Sequence, residues 1–156
     1  MDEDNEALLV AELRIDEGVR YSPYRDTKGI PTVGVGHNLA ASPLPDGWSY
    51  PLTDDLVNVL LESDLQNVFD DLDGGLPWWR TLNDPRQRVI CNMCFNLGLT
   101  KLLGFVDTLA AMRQGRYADA ATGMLNSAWA SQVGIRDKNG QPGRALRLAT
   151  MMRDGK

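Results

Sequence analysis

The chain has 156 residues, within the usual size of a single domain, and 43% of them are apolar, enough for one continuous core. Its net charge of −5 disfavours tight nonspecific binding to nucleic acid and to anionic membranes. No apolar run approaches the roughly 18 residues that span a bilayer. The acidic N-terminus lacks the basic and apolar stretches of a secretory signal, so we expect the protein to accumulate in the cytoplasm of the cell that makes it.

The first half of the chain predicts one helix followed by a small sheet. Residues 5–17 place apolar side chains at helical spacing. Residues 24–29 are typical of a strand that enters a tight turn, and residues 30–37 follow as the returning strand. Gly34 and Gly36 leave one face of that strand almost bare, which favours the close approach of a ligand to the backbone.

The rest of the chain predicts helices only. Residues 53–73 form the longest, with an apolar stripe that ends at two glycines. Shorter helices are predicted over residues 84–97, 105–114, 117–125, 128–133 and 142–153. The predicted fold class is α+β and mainly helical, without a linker, a low-complexity tract or an internal repeat. A sheet lobe (18–52), a connecting helix (53–73) and a helical lobe (76–156, with helix 5–17) would make up a single domain.

Cys91 and Cys94 lie three residues apart within an apolar stretch. A redox pair or half of a metal site is one interpretation, but the chain has no second cysteine pair and only one histidine to complete tetrahedral zinc. We therefore interpret both residues as buried thiols that pack as small apolar side chains. We expect neither a metal nor another cofactor.

Two carboxylates and one hydroxyl are candidates for catalysis. Glu17 ends the first predicted helix, Asp26 lies in the turn, and Thr32 lies on the returning strand, where we expect a cross-strand neighbour of Asp26. Inverting glycosidases pair a carboxylic acid with a second carboxylate about 6.5–9.5 Å away, which leaves room for a water. A hydroxyl beside a carboxylate can help to orient that water. Acidic residues in turns and at helix ends also serve as caps, so this pattern alone leaves both interpretations open.

The literal sequence around these residues resembles a known family. The matching segments are Leu13–Gly18, Tyr24–Gly29 and Thr32–His37, and the family is that of the phage-type lysozymes, glycoside hydrolase family 24. The resemblance extends over most of the chain, from about residue 12 to 153, and it implies a two-lobed lysozyme-like fold. The family's catalytic Glu, Asp and Thr fall on Glu17, Asp26 and Thr32 without a gap. Glu17 would then be the general acid, and Asp26 and Thr32 would activate water.

The same resemblance implies roles for other residues. His37, which could be a general base by its ordinary pKa, is implied to pair with Asp64 and to tie the sheet lobe to the long helix. Asn96, Gln132 and Arg144 match the cleft region of the family and are implied to bind substrate. Gly36, on the bare strand, is a further candidate for substrate contact, with a simple requirement of the turn as the alternative. The loop over residues 40–51 differs from the family pattern, and residues between 132 and 142 are inserted, so the details of substrate binding stay open.

Three functions follow from these patterns. The first is a muramidase that hydrolyses, with inversion, the β-1,4 bond between N-acetylmuramic acid and N-acetylglucosamine in bacterial peptidoglycan. The second is a lytic transglycosylase, which would need the glutamate but not the Asp–Thr pair. The third is a catalytically silent glycan-binding or virion protein on the same scaffold, which the intact trio disfavours.

The muramidase function implies the partners and the cellular location that we expect for the protein. By resemblance, the protein is an endolysin that waits in the host cytoplasm until a holin opens the inner membrane, and then acts on the cell wall for host lysis. Peptidoglycan strands are the expected partner, without nucleic acid or insertion into the membrane. We expect a monomer.

Overall fold

The computed structural model describes all 156 residues and confirms the α+β, mainly helical class. Eight α-helices and one 3-10 helix accompany a three-stranded antiparallel sheet of order β1-β2-β3. The elements are α1 (Glu3–Glu17), β1 (Arg20–Arg25), β2 (Pro31–Gly34), β3 (His37–Asn38), α2 (Asp54–Gly75), the 3-10 helix (Pro77–Thr81), α3 (Asp84–Leu97), α4 (Leu99–Leu103), α5 (Val106–Arg113), α6 (Tyr117–Leu125), α7 (Ala128–Val133) and α8 (Arg144–Asp154). None of the helices is both long and apolar enough to cross a membrane.

The prediction of one strand over residues 30–37 is wrong. The chain reverses after Gly34, and β3 pairs back on β2 with Val33 opposite His37. Gly34 and Gly36 both have a φ of +65°, a backbone conformation that glycine adopts at little cost. The two glycines therefore belong to a second hairpin turn, and they do not form the bare face of one extended strand.

Residues 6–67 form one of two compact units, which contains most of α1, the sheet and the first part of α2. Apolar faces of these elements supply its core, whose fully buried side chains include Leu9, Leu13, Val33, Val57 and Leu65. The backbone of Gly34 packs closely on α2, since a Cβ there would lie 3.7 Å from the side chain of Val57.

Residues 1–5 and 68–156 form the second unit, and the unit boundary falls within α2. Helix α3 is central to its core, and a run of its residues from Val89 to Cys94 is buried. Trp79 is fully buried, stacks on Phe69 with 5.8 Å between ring centroids, and donates its indole N–H to Asp73 over 2.7 Å. The organisation as a single catalytic domain stays a prediction.

Both cysteines lie in α3 as free thiols, Cys91 fully buried and Cys94 2% exposed. Burial raises the pKa of Cys94 to about 12 and raises that of Cys91 well above its ordinary value. The interpretation of both residues as buried thiols is confirmed.

Candidate active site

Glu17 is the last residue of α1, and Gly18, with a φ of +72°, ends the helix. A polar cluster holds this end of the helix. Arg14 Nη2 lies 2.9 Å from Asp54 Oδ1, and the same oxygen accepts a hydrogen bond of 2.7 Å from the Tyr21 hydroxyl. Because Tyr21 lies on β1 and Asp54 begins α2, the cluster fixes the position of Glu17 relative to both elements.

Gly36 lies beside the side chain of Glu17. A Cβ at Gly36 would be 3.6 Å from Glu17 Oε2 and 3.8 Å from its Cβ and Cγ. The carboxylate thus packs over bare backbone between β2 and β3. Gly36 was predicted to let a ligand approach the backbone, and the structure shows that the neighbour in this place is Glu17.

Asp26 organises the turn that links β1 to β2. Its Oδ1 accepts two backbone hydrogen bonds, from Lys28 N over 2.8 Å and from Ile30 N over 2.9 Å. Its own N–H donates to Ile30 O, and its carbonyl accepts from Gly29 N. Arg25 closes the turn with a hydrogen bond of 2.8 Å to the carbonyl of Gly29. The second carboxylate oxygen, Oδ2, has no hydrogen-bond partner within the chain.

The register of the hairpin corrects the predicted pairing of Thr32. Thr32 lies opposite Tyr24, two residues before Asp26, while the backbone of Asp26 pairs with Ile30. Residues two apart on a strand share a face, so Thr32 and Asp26 are diagonal rather than direct neighbours. Thr32 is 4% exposed, and its hydroxyl donates to the carbonyl of Ile30 over 2.8 Å. Since the proton is used in this way, the hydroxyl oxygen is available as an acceptor.

His37 lies on β3 and is buried, and each of its ring nitrogens has an acceptor nearby. Nδ1 lies 2.8 Å from Asp64 Oδ2, and Nε2 lies 2.7 Å from the carbonyl oxygen of Ser42. Only the imidazolium can donate from both nitrogens. The hydrogen bond to Asp64 raises the pKa of His37, the Ser42 carbonyl adds to this rise, and burial opposes it. Both ring nitrogens therefore have partners that stabilise the protonated side chain.

The other residues predicted to bind substrate belong to the unit of residues 1–5 and 68–156. Asn96 accepts the indole N–H of Trp129 over 3.0 Å. Gln132 and Trp129 line a cavity of about 480 Å³ together with Phe105, which contacts Trp129 edge to face. These contacts place an amide and two aromatic rings around one open cavity.

Arg144 is the first residue of α8, and its Nε donates to Asn92 Oδ1 over 2.9 Å. Asn92 is fully buried on α3. Sequence reasoning missed this partner, although a polar amide inside an otherwise apolar helix face was a usable signal. It also missed the cluster of Arg14, Tyr21 and Asp54, whose members are far apart in the chain.

The turn at Asp26 recurs at Asp137, between α7 and α8. Both segments have the sequence Arg-Asp-x-x-Gly-x-Pro, over residues 25–31 and 136–142. Asp137 Oδ1 accepts from the second and fourth residues after it over 2.8 and 2.9 Å, and the three remaining hydrogen bonds also match. The residue after the proline differs, since Thr32 follows the first and Gly143 the second. The chain therefore contains two carboxylates held in the same way, and only one of them has a nearby threonine at this position.

Comparison with known proteins adds independent information. The model of the phage lysozyme family matches residues 14–146. The pre-baseplate central spike protein Gp5 of Enterobacteria phage T4 is 29% identical over 98% of the chain, which spans only 29% of that protein's length. The probable T4-type lysozyme 1 of Dictyostelium discoideum is 26% identical over 92% of both chains. The endolysin of Salmonella phage P22 is 30% identical over 74% of this chain and 77% of its own length.

Proposed function

The chain belongs to the phage lysozyme family, a family of glycoside hydrolases, and on that basis we propose that it is a muramidase. It hydrolyses the β-1,4 bond between N-acetylmuramic acid and N-acetylglucosamine in bacterial peptidoglycan, with inversion at the anomeric carbon. Glu17, Asp26 and Thr32 carry the reaction. All three lie in the unit of residues 6–67.

Glu17 acts as the general acid. It donates its proton to the glycosidic oxygen as the bond to the anomeric carbon breaks, so the leaving sugar departs with a neutral hydroxyl. The polar cluster fixes the end of α1, and the backbone of Gly36 lies against the Glu17 side chain. A catalytic acid must be fixed in this way, because a small displacement of the proton donor slows the transfer.

Asp26 and Thr32 activate the attacking water. Asp26 Oδ1 is occupied by two backbone N–H groups, which leaves Oδ2 to accept one proton of a water. The Thr32 hydroxyl, whose own proton goes to Ile30 O, accepts the other. Diagonal neighbours on paired strands are typically about 7–8 Å apart, which leaves space for one water between their side chains. With both protons held, the water directs a lone pair to the anomeric carbon and transfers a proton to Asp26 as the new bond forms.

The observation that carries this proposal is that the two oxygens of the Asp26 carboxylate have different contacts. One oxygen is used to build the turn, and the other has no partner in the chain. A role in the turn alone would account for the contacts of Oδ1 and would give no function to Oδ2. The acceptor at Thr32 gives Oδ2 a function, because a water that bridges the two is the nucleophile that an inverting hydrolase requires.

Gly36, Asn96, Gln132 and Arg144 complete the proposal as substrate-binding residues. The amide of Gln132 and the aromatic rings beside it suit an N-acetyl group or a peptide bond. The guanidinium of Arg144 suits a carboxylate of the substrate. His37 and Asp64 have a structural role, in which their ion pair connects β3 to α2.

The proposed biological role is that of an endolysin. The protein resides in the host cytoplasm as a monomer, reaches the wall when a holin opens the inner membrane, and lyses the host. The relative named endolysin, from Salmonella phage P22, supports this role.

The two Asp turns offer a matched test. Asp26→Asn keeps an Oδ1 acceptor for Lys28 and Ile30 but replaces the water-activating oxygen by an amide, so we expect kcat on purified peptidoglycan to fall by about 100-fold or more. Asp137→Asn makes the same change in the other turn, and we expect kcat to stay within about two-fold of the wild type, since surface changes of this kind cost little. Equal loss in both variants, or full activity in Asp26→Asn, would show that Asp26 is only a turn residue.

A further inference from the structure

The hairpin between α7 and α8 closes on an unusually tight backbone contact. Gly143 N donates to Ile135 O over 2.8 Å, and Ala145 N donates to Gly134 O over 2.9 Å. A Cβ on Gly143 would lie 2.5 Å from Gly134 O, which is too close for any side chain. Gly143 has a φ of −77°, so the requirement for glycine here comes from this close approach alone.

This contact also caps α8. Gly143 precedes the first residue of the helix and has no side chain to accept a hydrogen bond from the first turn. The first N–H groups of a helix need partners from outside it. The carbonyl of Gly134 supplies one, by accepting from Ala145 N. The hairpin thus determines where α8 begins.

Arg144 is held at both its backbone and its side chain. It lies between Gly143 and Ala145, which are the two residues that the hairpin fixes, and its Nε binds the fully buried Asn92. The hairpin in turn depends on Asp137, whose carboxylate and backbone supply four of the hydrogen bonds that form its turn. A continuous set of contacts therefore leads from the exposed turn to the guanidinium.

We infer that the hairpin over residues 134–143 is a positioning element that sets the arginine at the start of α8, with Asp137 and Gly143 as its determining residues. This inference rests on the proposed function, in which Arg144 binds substrate. A binding group gains affinity when its support fixes it before the substrate arrives. Loss of the turn therefore weakens substrate binding and raises KM.

A double-mutant cycle tests this coupling. Asp137→Ala removes the Oδ1 acceptor of two backbone hydrogen bonds, and we expect KM on peptidoglycan fragments to rise about three- to ten-fold with kcat within about two-fold. Asp137→Asn retains the acceptor and should restore KM to the wild-type value. In an Arg144→Lys background, Asp137→Ala should change KM by less than about two-fold, because the group that it positions is already altered. Lys138→Ala, in the same exposed turn, is the matched control and should leave KM unchanged.

Two results would overturn the inference: an unchanged KM in Asp137→Ala, or an equal rise in KM in the wild-type and Arg144→Lys backgrounds. Gly143→Ala provides a second route, since its methyl group must displace the carbonyl of Gly134, and it should raise KM in the same direction. The inference can also be tested without turnover, by co-sedimentation of Glu17→Gln and Glu17→Gln/Asp137→Ala with insoluble peptidoglycan. If the two variants bind peptidoglycan equally, the inference is contradicted. If the wild-type protein shows no turnover, only the proposed function is contradicted.

Discussion

At the scale of single residues, the two Asp turns have the same local geometry but different proposed roles. Asp26 and Asp137 make the same hydrogen bonds in the same sequence pattern. What distinguishes them is their surroundings, since only Asp26 has a threonine hydroxyl as a diagonal neighbour. A carboxylate that stabilises a turn through one oxygen can act on substrate through the other, and the second role depends on what lies beside it.

Gly36→Ala tests the contact between backbone and catalytic acid. The new methyl group would lie 3.6 Å from Glu17 Oε2, in a backbone conformation with φ of +65° that costs an L-residue about 1–2 kcal/mol. We expect the free energy of unfolding to fall by about this amount, and kcat to fall as well because the backbone that lies against the acid shifts to relieve the strained φ. Chemical denaturation and turnover measure the two effects. Unchanged turnover in a destabilised variant would show that Gly36 serves the turn alone.

Cys94 gives a prediction about reactivity. With its pKa raised to about 12, about one molecule in 10,000 carries the thiolate at pH 8, and the thiolate is the reactive form. We expect both thiols of the native protein to react with a disulfide reagent only as fast as the unit opens. The same reagent in denaturant should titrate two thiols per chain. Rapid reaction under native conditions would contradict the burial of α3.

At the scale of elements, the pair of His37 and Asp64 connects the end of the small sheet to α2. Its contribution should depend on pH, because the pKa of His37 is raised above that of the unfolded chain. A raised pKa means that the folded state binds the proton more tightly. The stabilisation is therefore fully present below the unfolded value of about 6.5 and is lost as pH rises through the folded value.

His37→Gln should remove that part of the pH dependence. We expect the wild-type free energy of unfolding to decline with rising pH above about 6.5, and the decline to be absent or smaller in the variant. Denaturant unfolding at a series of pH values measures both curves. Parallel curves would mean that another group is responsible, and a variant that keeps full stability but loses turnover would assign His37 to catalysis instead.

Helix boundaries were predictable where their signals are local. Helix α3 begins at Asp84 and ends before Gly98, as the sequence pattern predicts, although its N-cap is Asn83. The 3-10 helix and α4 were missed because each is only five residues long and lacks a full period of apolar spacing. The turn between β2 and β3 was missed because glycine permits a reversal without requiring one.

At the scale of the whole molecule, the sequence predicted the class of fold and the candidates for catalysis better than their supporting contacts. Glu17, Asp26 and Thr32 lie within a short stretch, so one local pattern and its resemblance to a family identified them together. Arg144 is supported by the side-chain oxygen of Asn92 on α3, and the residues beside it by backbone carbonyls of Gly134 and Ile135. Backbone contacts of this kind depend on tertiary packing, so the sequence alone does not predict them.

The stereochemistry of the first product tests the central claim most directly. Digestion of peptidoglycan in ¹⁸O-labelled water, followed by NMR and mass spectrometry before the anomers equilibrate, reports both the configuration and the source of the new oxygen. We predict N-acetylmuramic acid in the α configuration with one ¹⁸O at its anomeric carbon, since water held by Asp26 and Thr32 attacks opposite the departing sugar. A β product, or an unlabelled anhydro sugar, would contradict the roles assigned to these two residues.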